Sequence, residues 1–275
     1  LSRIDMMVRL LVLAIVLATF APVTGSGQLA AQYVSNAAIF LLFFLNGVRL
    51  SRKDVRAGIS NLRFLAPLTF WCFGAMAAAG YGMFLIAGNV MPALVALGLI
   101  YLGAMPSTVQ SAAAYTSVAE GNVAASVVSA ALLNILGVFV SIPIFAWLSG
   151  GEAVELGSGG LFKIFMILLL PFALGQLSQN RLGNWLKANP LIVSWMDRLA
   201  IAIAVYVAFS GAVEQDLWTM LDLAAWGYLI AAIAGLLLFA FAGAWALSGL
   251  LVLRMGDRIS FMFAGAHKSV AMGAP

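Results

Sequence analysis

Charge is what this sequence has least of. Only 9% of its 275 residues are Asp, Glu, Lys or Arg, while 64% are hydrophobic. A water-soluble domain carries about 25% charged residues, so a soluble chain of this size could not cover its apolar surface. A lipid bilayer removes that need. Cysteine and histidine occur once each, as Cys72 and His267. That excludes a disulfide framework, a thiolate metal site and a multi-histidine metal site. No His-Glu-x-x-His motif is present, which argues against a zinc-dependent intramembrane enzyme. No nucleotide-binding loop is present either, which argues against ATP-driven transport by this chain alone. Alternating ten-residue segments, the mark of a membrane β-barrel, are missing too. The formal charge of +4 sits in short clusters between apolar runs, a topology signal rather than a nucleic-acid surface. The expectation is an all-α integral membrane protein in a lipid bilayer, not an enzyme, with no nucleic-acid partner.

A helix needs about 20 apolar residues to cross the hydrocarbon core. Nine stretches qualify: 6–23, 31–50, 64–88, 92–118, 122–148, 160–179, 197–213, 223–252 and 257–275. The first has a competing reading as a cleavable signal peptide, from Arg3, Arg9 and the Ala21-Pro22-Val23-Thr24-Gly25 segment. If the spans alternate, one side receives Arg3, Arg9, Arg49, Arg52, Lys53, Arg56, Arg63, Arg181, Lys187, Arg198, Arg254 and Arg258. The other side receives Glu152, Glu155, Glu214, Asp216 and Asp222, with Lys163 nearby. Positive charge stays inside, so the N-terminus is expected in the cytoplasm and the protein in the inner (plasma) membrane as a multi-pass span set. All ten acidic residues fall in loops or at span ends on this reading.

Spans four and nine each carry a polar break. The first reads Gly103-Ala104-Met105-Pro106-Ser107-Thr108-Val109-Gln110-Ser111, the second Gly265-Ala266-His267-Lys268-Ser269-Val270-Ala271-Met272-Gly273-Ala274-Pro275. Five spans separate them, and an odd offset makes corresponding helices run in opposite directions. That predicts a 5+5 inverted repeat: residues 1–150 as spans one to five, residues 151–275 as spans six to nine, and a tenth helix missing from this sequence and expected beyond Pro275. Proline removes a backbone donor and clashes with the preceding turn. The freed groups must face protein or a water-filled cavity. Paired interrupted segments in two halves are the best sequence pointer to a transporter binding site. Pro106 as a simple kink is the bland alternative.

Candidate substrate- or ion-binding residues follow from the breaks. Ser107, Thr108, Gln110 and Ser111 bring hydroxyl and amide groups to the first, beside Pro106; His267, Lys268 and Ser269 stand in the second. A charge at mid-membrane costs about 3 kcal/mol on insertion scales and is seldom idle. Lys268 is therefore expected to pair with an anionic substrate or to carry a proton, with snorkelling to an interface as the bland alternative. Ser126 and Asn134 line span five, with interhelix hydrogen bonding as the alternative for Asn134. Asn46 and Gln176 are weaker candidates, and Trp71, Trp185, Trp195, Trp218 and Trp226 read as interface anchors.

The stretch Ala104-Met105-Pro106-Ser107-Thr108-Val109-Gln110-Ser111, with Glu120-Gly121-Asn122-Val123-Ala124-Ala125, resembles the bile acid:sodium symporter-like family, in a bacterial subgroup related to a vertebrate orphan solute carrier. Leu41 to Ser51, Leu169 to Gln176, Val205 to Ser210 and the Lys268-Ser269 pair with Gly273 and Pro275 share the likeness. The resemblance implies ten helices, a panel domain from spans one, two, six and seven, and a core domain from spans three to five, eight and nine. The discontinuous helices would cross in the core, with substrate bound near the crossing and access alternating between the two sides. It also implies a possible Na+ site, yet the positions of its sodium ligands hold Ala112, Ala113, Ala130 and Phe263, with His267 and Lys268 at the second crossing segment; Ser126 alone keeps a hydroxyl. The resemblance adds a third expectation for Lys268, a tethered ammonium where relatives hold sodium. No other cofactor is expected. The leading expectation is a symporter-like secondary active transporter of a small, anionic organic solute, coupled to sodium or protons, working as a monomer or homodimer. A channel or a regulatory membrane protein affecting ion homeostasis is the alternative.

Overall fold

Inside a bilayer every backbone amide must find its partner within the protein, and a helix does so within one segment. A computed structural model describes residues 6–49, 61–88, 90–150, 157–217 and 219–269, with the side chains of Val138 and residues 157–165 excepted. Among the described residues the regular elements are all helical. They are α1 (Met6–Phe20), α2 (Ser26–Arg49), α3 (Leu62–Ala87), α4a (Ala93–Ala104), α4b (Val109–Val118), α5 (Val123–Leu148), α6 (Gly157–Ala188), α7 (Pro190–Glu214), α8 (Leu223–Leu250) and α9 (Met255–Ala266). α2, α3, α7 and α8 are each long and apolar enough to cross a membrane. Two bent pairs raise that to six: α4a with α4b, at 59°, and the two parts of α5, at 54°. α1 is a shorter apolar helix of 15 residues.

Several expected bounds shift. α1 stops at Phe20, α6 runs on to Ala188, and α7 begins at Pro190 instead of 197. Asn189 alone separates α6 from α7, and Pro190 starts α7 where its missing N–H costs nothing. Arg181 and Lys187 therefore ride on α6 and Arg198 on α7, rather than in a loop. Asp197 likewise lies within α7, 1% exposed, where its carboxylate pairs with Arg49 at 2.6 Å. The expectation that every acid sits in a loop or at a span end fails there. A helical segment tolerates a buried acid when an arginine reaches it. Trp71 is no interface anchor: it is 7% exposed and stacks on Phe239 with centroids 5.1 Å apart. Arg3, Arg52, Lys53, Arg56, Glu152, Glu155, Trp218 and the part of the second break from Val270 onward lie outside the described residues.

The chain forms two compact units. One holds α1, α2, α7 and α6 from Phe162 onward; the other holds α3, α4a, α4b, α5, α8 and α9. In the first unit α2 crosses α6 at Gly47 and Gly175, so closely that a Cβ on Gly47 would overlap the Phe172 carbonyl and one on Gly175 the Phe44 carbonyl. Small residues give helices this backbone approach, which replaces the hydrophobic drive that lipid lacks. The approach lets Gln176 donate to the Gly47 carbonyl at 2.6 Å and Gln179 to the Val48 carbonyl at 3.3 Å. Leu45, Val48, Leu186 and Val193 form the apolar contact around it. In the second unit α3 and α4a meet the same way at Gly80 and Gly103, where either Cβ would come within 2.5 Å of the facing carbonyl. A core of Phe64, Leu68, Trp71, Phe73, Leu133 and Phe261 joins α3, α5 and α9.

Gly175→Ala is expected to lower stability by about 1–3 kcal/mol through overpacking, seen as a lower thermal-unfolding midpoint in detergent. Gly211→Ala, at a site with open space around its Cβ position, should leave that midpoint unchanged.

Candidate functional site

Both breaks end a helix in the same way. α4a finishes on Ala104 and Met105 turns extended (φ −66°, ψ 145°); α9 finishes on Ala266 and His267 turns extended (φ −75°, ψ 138°). Each half-helix has 12 residues and stops on the Ala of a Gly-Ala pair. The last four carbonyls of any helix have no partner inside it, and Pro106 cannot supply an N–H. Thr108 is extended as well, so the chain runs unwound from Met105 to Thr108 before α4b begins.

The second break satisfies the first. Ser269 donates its backbone N–H to the Pro106 carbonyl at 2.9 Å. The Lys268 ammonium donates to the Met105 carbonyl at 2.8 Å, the Gly103 carbonyl at 3.0 Å and the Cys72 carbonyl at 3.3 Å. Asn134 of α5 donates to the Ser107 carbonyl at 2.7 Å and to the Ala130 carbonyl one turn back at 3.2 Å. The Pro106 ring fits because Gly137 faces it; a Cβ there would sit 2.6 Å from Pro106 Cγ.

Cys72 lies in a π-helical turn, Trp71–Ala75, within α3. Met76 donates five residues back to the Trp71 carbonyl, not four back to that of Cys72. The irregularity turns the Cys72 carbonyl toward Lys268, and such turns recur at functional sites. The buried Cys72 thiol is 3.8 Å from the Ala264 carbonyl and 3.9 Å from that of Gly265, at the end of α9.

Of the sequence candidates, Pro106, Ser107, Asn134, Lys268 and Ser269 come together. Ser107 is fully buried and its hydroxyl has no hydrogen-bond partner among the described residues. His267 faces aromatic rings, with centroids 5.2 Å from Tyr115, 5.6 Å from Phe263 and 5.8 Å from Phe241, and its buried Nδ1 is also without a partner there. Thr108 precedes α4b but makes no side-chain cap. Ser111 is half-buried on α4b and Gln110 is exposed. Ser126 accepts a 3.2 Å bond from the Thr116 hydroxyl at the far end of α4b, so its hydroxyl serves a different contact. Gln176 bonds α2 to α6, as described above; a signal for that role was the glycine on each facing helix. The Cys72, Gly103 and Met105 carbonyls escaped sequence reading because a backbone carbonyl carries no residue signature. The aromatic ring set around His267 escaped it because Tyr115, Phe241 and Phe263 are far apart in sequence.

Apolar helices able to cross a bilayer, with a polar meeting point between the break after α4a and the end of α9, fit a multi-pass membrane protein of the transporter class. The chain belongs to the SBF-like CPA transporter family, whose sequence model matches residues 5–275. It is 37% identical over 273 residues to an uncharacterized protein of Pseudomonas aeruginosa, covering 96% of this chain and 80% of that one. It is 34% identical over 280 residues, with the same coverage, to the Escherichia coli protein named "Putative symporter YfeH". A rice protein named "Probable sodium/metabolite cotransporter BASS4, chloroplastic" is 29% identical over 178 residues, 62% of this chain and 40% of that one. The family and its named relatives are transporters, not enzymes.

Asn134→Ala removes the side-chain donor to the Ser107 carbonyl. The expected cost is about 1–3 kcal/mol for a buried acceptor left unmade, measured as a drop in the unfolding midpoint.

Proposed function

We propose that the protein is a secondary active transporter that moves a small organic anion by alternating access, with the solute bound where the two breaks meet. The observation that carries this is the contact between the breaks: two unwound segments, whose bonded residues stand 163 to 165 apart in sequence, share hydrogen bonds at one point. An inverted repeat accounts for the matched ends of α4a and α9, which begin at residues 93 and 255 and stop at residues 104 and 266, a constant offset of 162. The two compact units support a panel-and-core division, and the hydrogen-bonded parts of the breaks, Gly103 to Ser107 and Lys268 with Ser269, belong to one unit, so this contact can travel as one body. The basic pair His267 and Lys268, with the amide-bearing start of α4b, favours an anion. The names of the bacterial and plant relatives, a symporter and a sodium/metabolite cotransporter, support secondary active transport.

Purified protein in liposomes should take up a solute found by thermal-stabilisation screening of small organic anions, with saturation and counterflow. Lys268→Ala should cut that uptake by about tenfold or more, the effect of losing charge-assisted bonds worth about 1.5–3 kcal/mol. Unsaturable flux without counterflow would indicate a channel instead.

Orientation is tested separately. Cys72 is the sole cysteine and is fully buried, so introduced cysteines label on a clean background. With the N-terminus in the cytoplasm, Gln215→Cys reacts with an impermeant maleimide on intact cells, and Arg181→Cys reacts only after permeabilisation. The reverse pattern would invert the topology.

A further inference from the structure

Lys268 has three N–H donors and the structure gives it three backbone carbonyls. It pairs with no carboxylate among the described residues, and no cluster of acids there could hold a metal ion. A cation held by carbonyls alone is in the situation of a dehydrated monovalent ion, whose water shell has been exchanged for backbone oxygens. The oxygens come from two separate departures from helical regularity. Gly103 and Met105 supply theirs where α4a ends, the negative pole of that half-helix. Cys72 supplies the third from the π turn of α3. Regular helices through both places would aim none of the three at a common point.

We propose that these three carbonyls form a monovalent-cation site which the chain fills with its own Lys268 ammonium, so that no sodium ion binds at this point. The consequence follows from covalent attachment. A bound ion can leave when the site opens; an ammonium anchored next to Ser269, whose N–H is fixed on the Pro106 carbonyl, cannot. The crossing therefore keeps its positive charge throughout the transport cycle, and sodium is not co-transported through it. The same geometry removes the direct ion pair between Lys268 and a substrate anion: all three protons are already donated, and an anion feels the charge without accepting its hydrogen bonds. This deepens the carrier reading and rests on it for the coupling consequence alone. The site itself is tested without transport, so the two can fail separately.

The experiment compares thermal unfolding of the full chain in detergent in choline chloride with that in sodium, potassium and methylammonium chloride at equal ionic strength. The wild-type midpoint should be the same in all four. Lys268→Ala should unfold at a lower temperature in choline and recover with saturation on titrating at least one of sodium, potassium or methylammonium. Saturable stabilisation of the wild type by sodium would overturn the proposal. So would a Lys268→Ala protein that is folded but indifferent to all three cations. A variant that cannot be recovered folded from any of the four media counts against it as well, because a replaceable cation should rescue it. Lys268→Arg gives a second reading: its fixed cation should keep the protein insensitive to sodium, and a gain of sodium dependence would contradict the assignment.

Discussion

A helix that stops inside a bilayer exposes carbonyls that water does not reach, and the second unit of this protein depends on how those carbonyls are satisfied. Lys268 and Ser269 meet the freed oxygens of Gly103, Met105 and Pro106, and Asn134 meets that of Ser107. Each partner is itself a product of a break or of a polar residue inside an apolar helix. Remove one and a buried acceptor is stranded, at a cost that exceeds what the bond contributes when made. The two interruptions are thus a single structural feature, and neither is tolerable without its counterpart.

Packing serves that feature. Gly137 makes room for the Pro106 ring, and Gly80 and Gly103 bring α3 close enough to α4a for the π turn to aim the Cys72 carbonyl at Lys268. Below the crossing, Asn122 closes the return of α4b into α5. Its amide donates to Asp257 at 2.8 Å and its backbone N–H to the Gly256 carbonyl at 2.9 Å, while Ser260 donates to its carbonyl at 2.7 Å. α9 is therefore held to the α4b–α5 turn at its start and to the first break at its end. The other unit uses the same glycine device at Gly47 and Gly175 and adds an ion pair from the exposed Arg49 to the buried Asp197. A buried carboxylate that loses its cationic partner is costly, so the reach of Arg49 to Asp197 helps fix how α2 and α7 register.

Much of this was legible in the sequence. Low charge and long apolar runs announced membrane helices, and Pro106 with the Gly-Ala pairs announced the interruptions, because proline and glycine act locally through the backbone. Lys268 stood out because a charge in an apolar run is expensive. What stayed hidden depends on three-dimensional proximity. The carbonyls that receive Lys268 belong to residues of no polar character. The π turn at Trp71–Ala75 leaves no composition signal, and Trp71 resembles an interface residue in sequence because tryptophan so often is one. Asp197 was placed at a span end because hydropathy sees its charge and not the arginine that neutralises it. Ser126 is legible as a hydroxyl within span five, but its partner Thr116 is not, since hydroxyl pairs follow no fixed spacing.

The state of the Lys268 side chain tests the account most directly. The chain has four lysines, Lys53, Lys163, Lys187 and Lys268, so nitrogen-15 lysine labelling gives a spectrum that can be assigned by single substitution. If the ammonium is fastened to three carbonyls, one NH3+ resonance should exchange its protons with water far more slowly than the rest and should vanish in Lys268→Arg. A spectrum in which the Lys268 resonance exchanges as fast as that of a solvent-exposed lysine would contradict it, and with it the meeting of the two breaks.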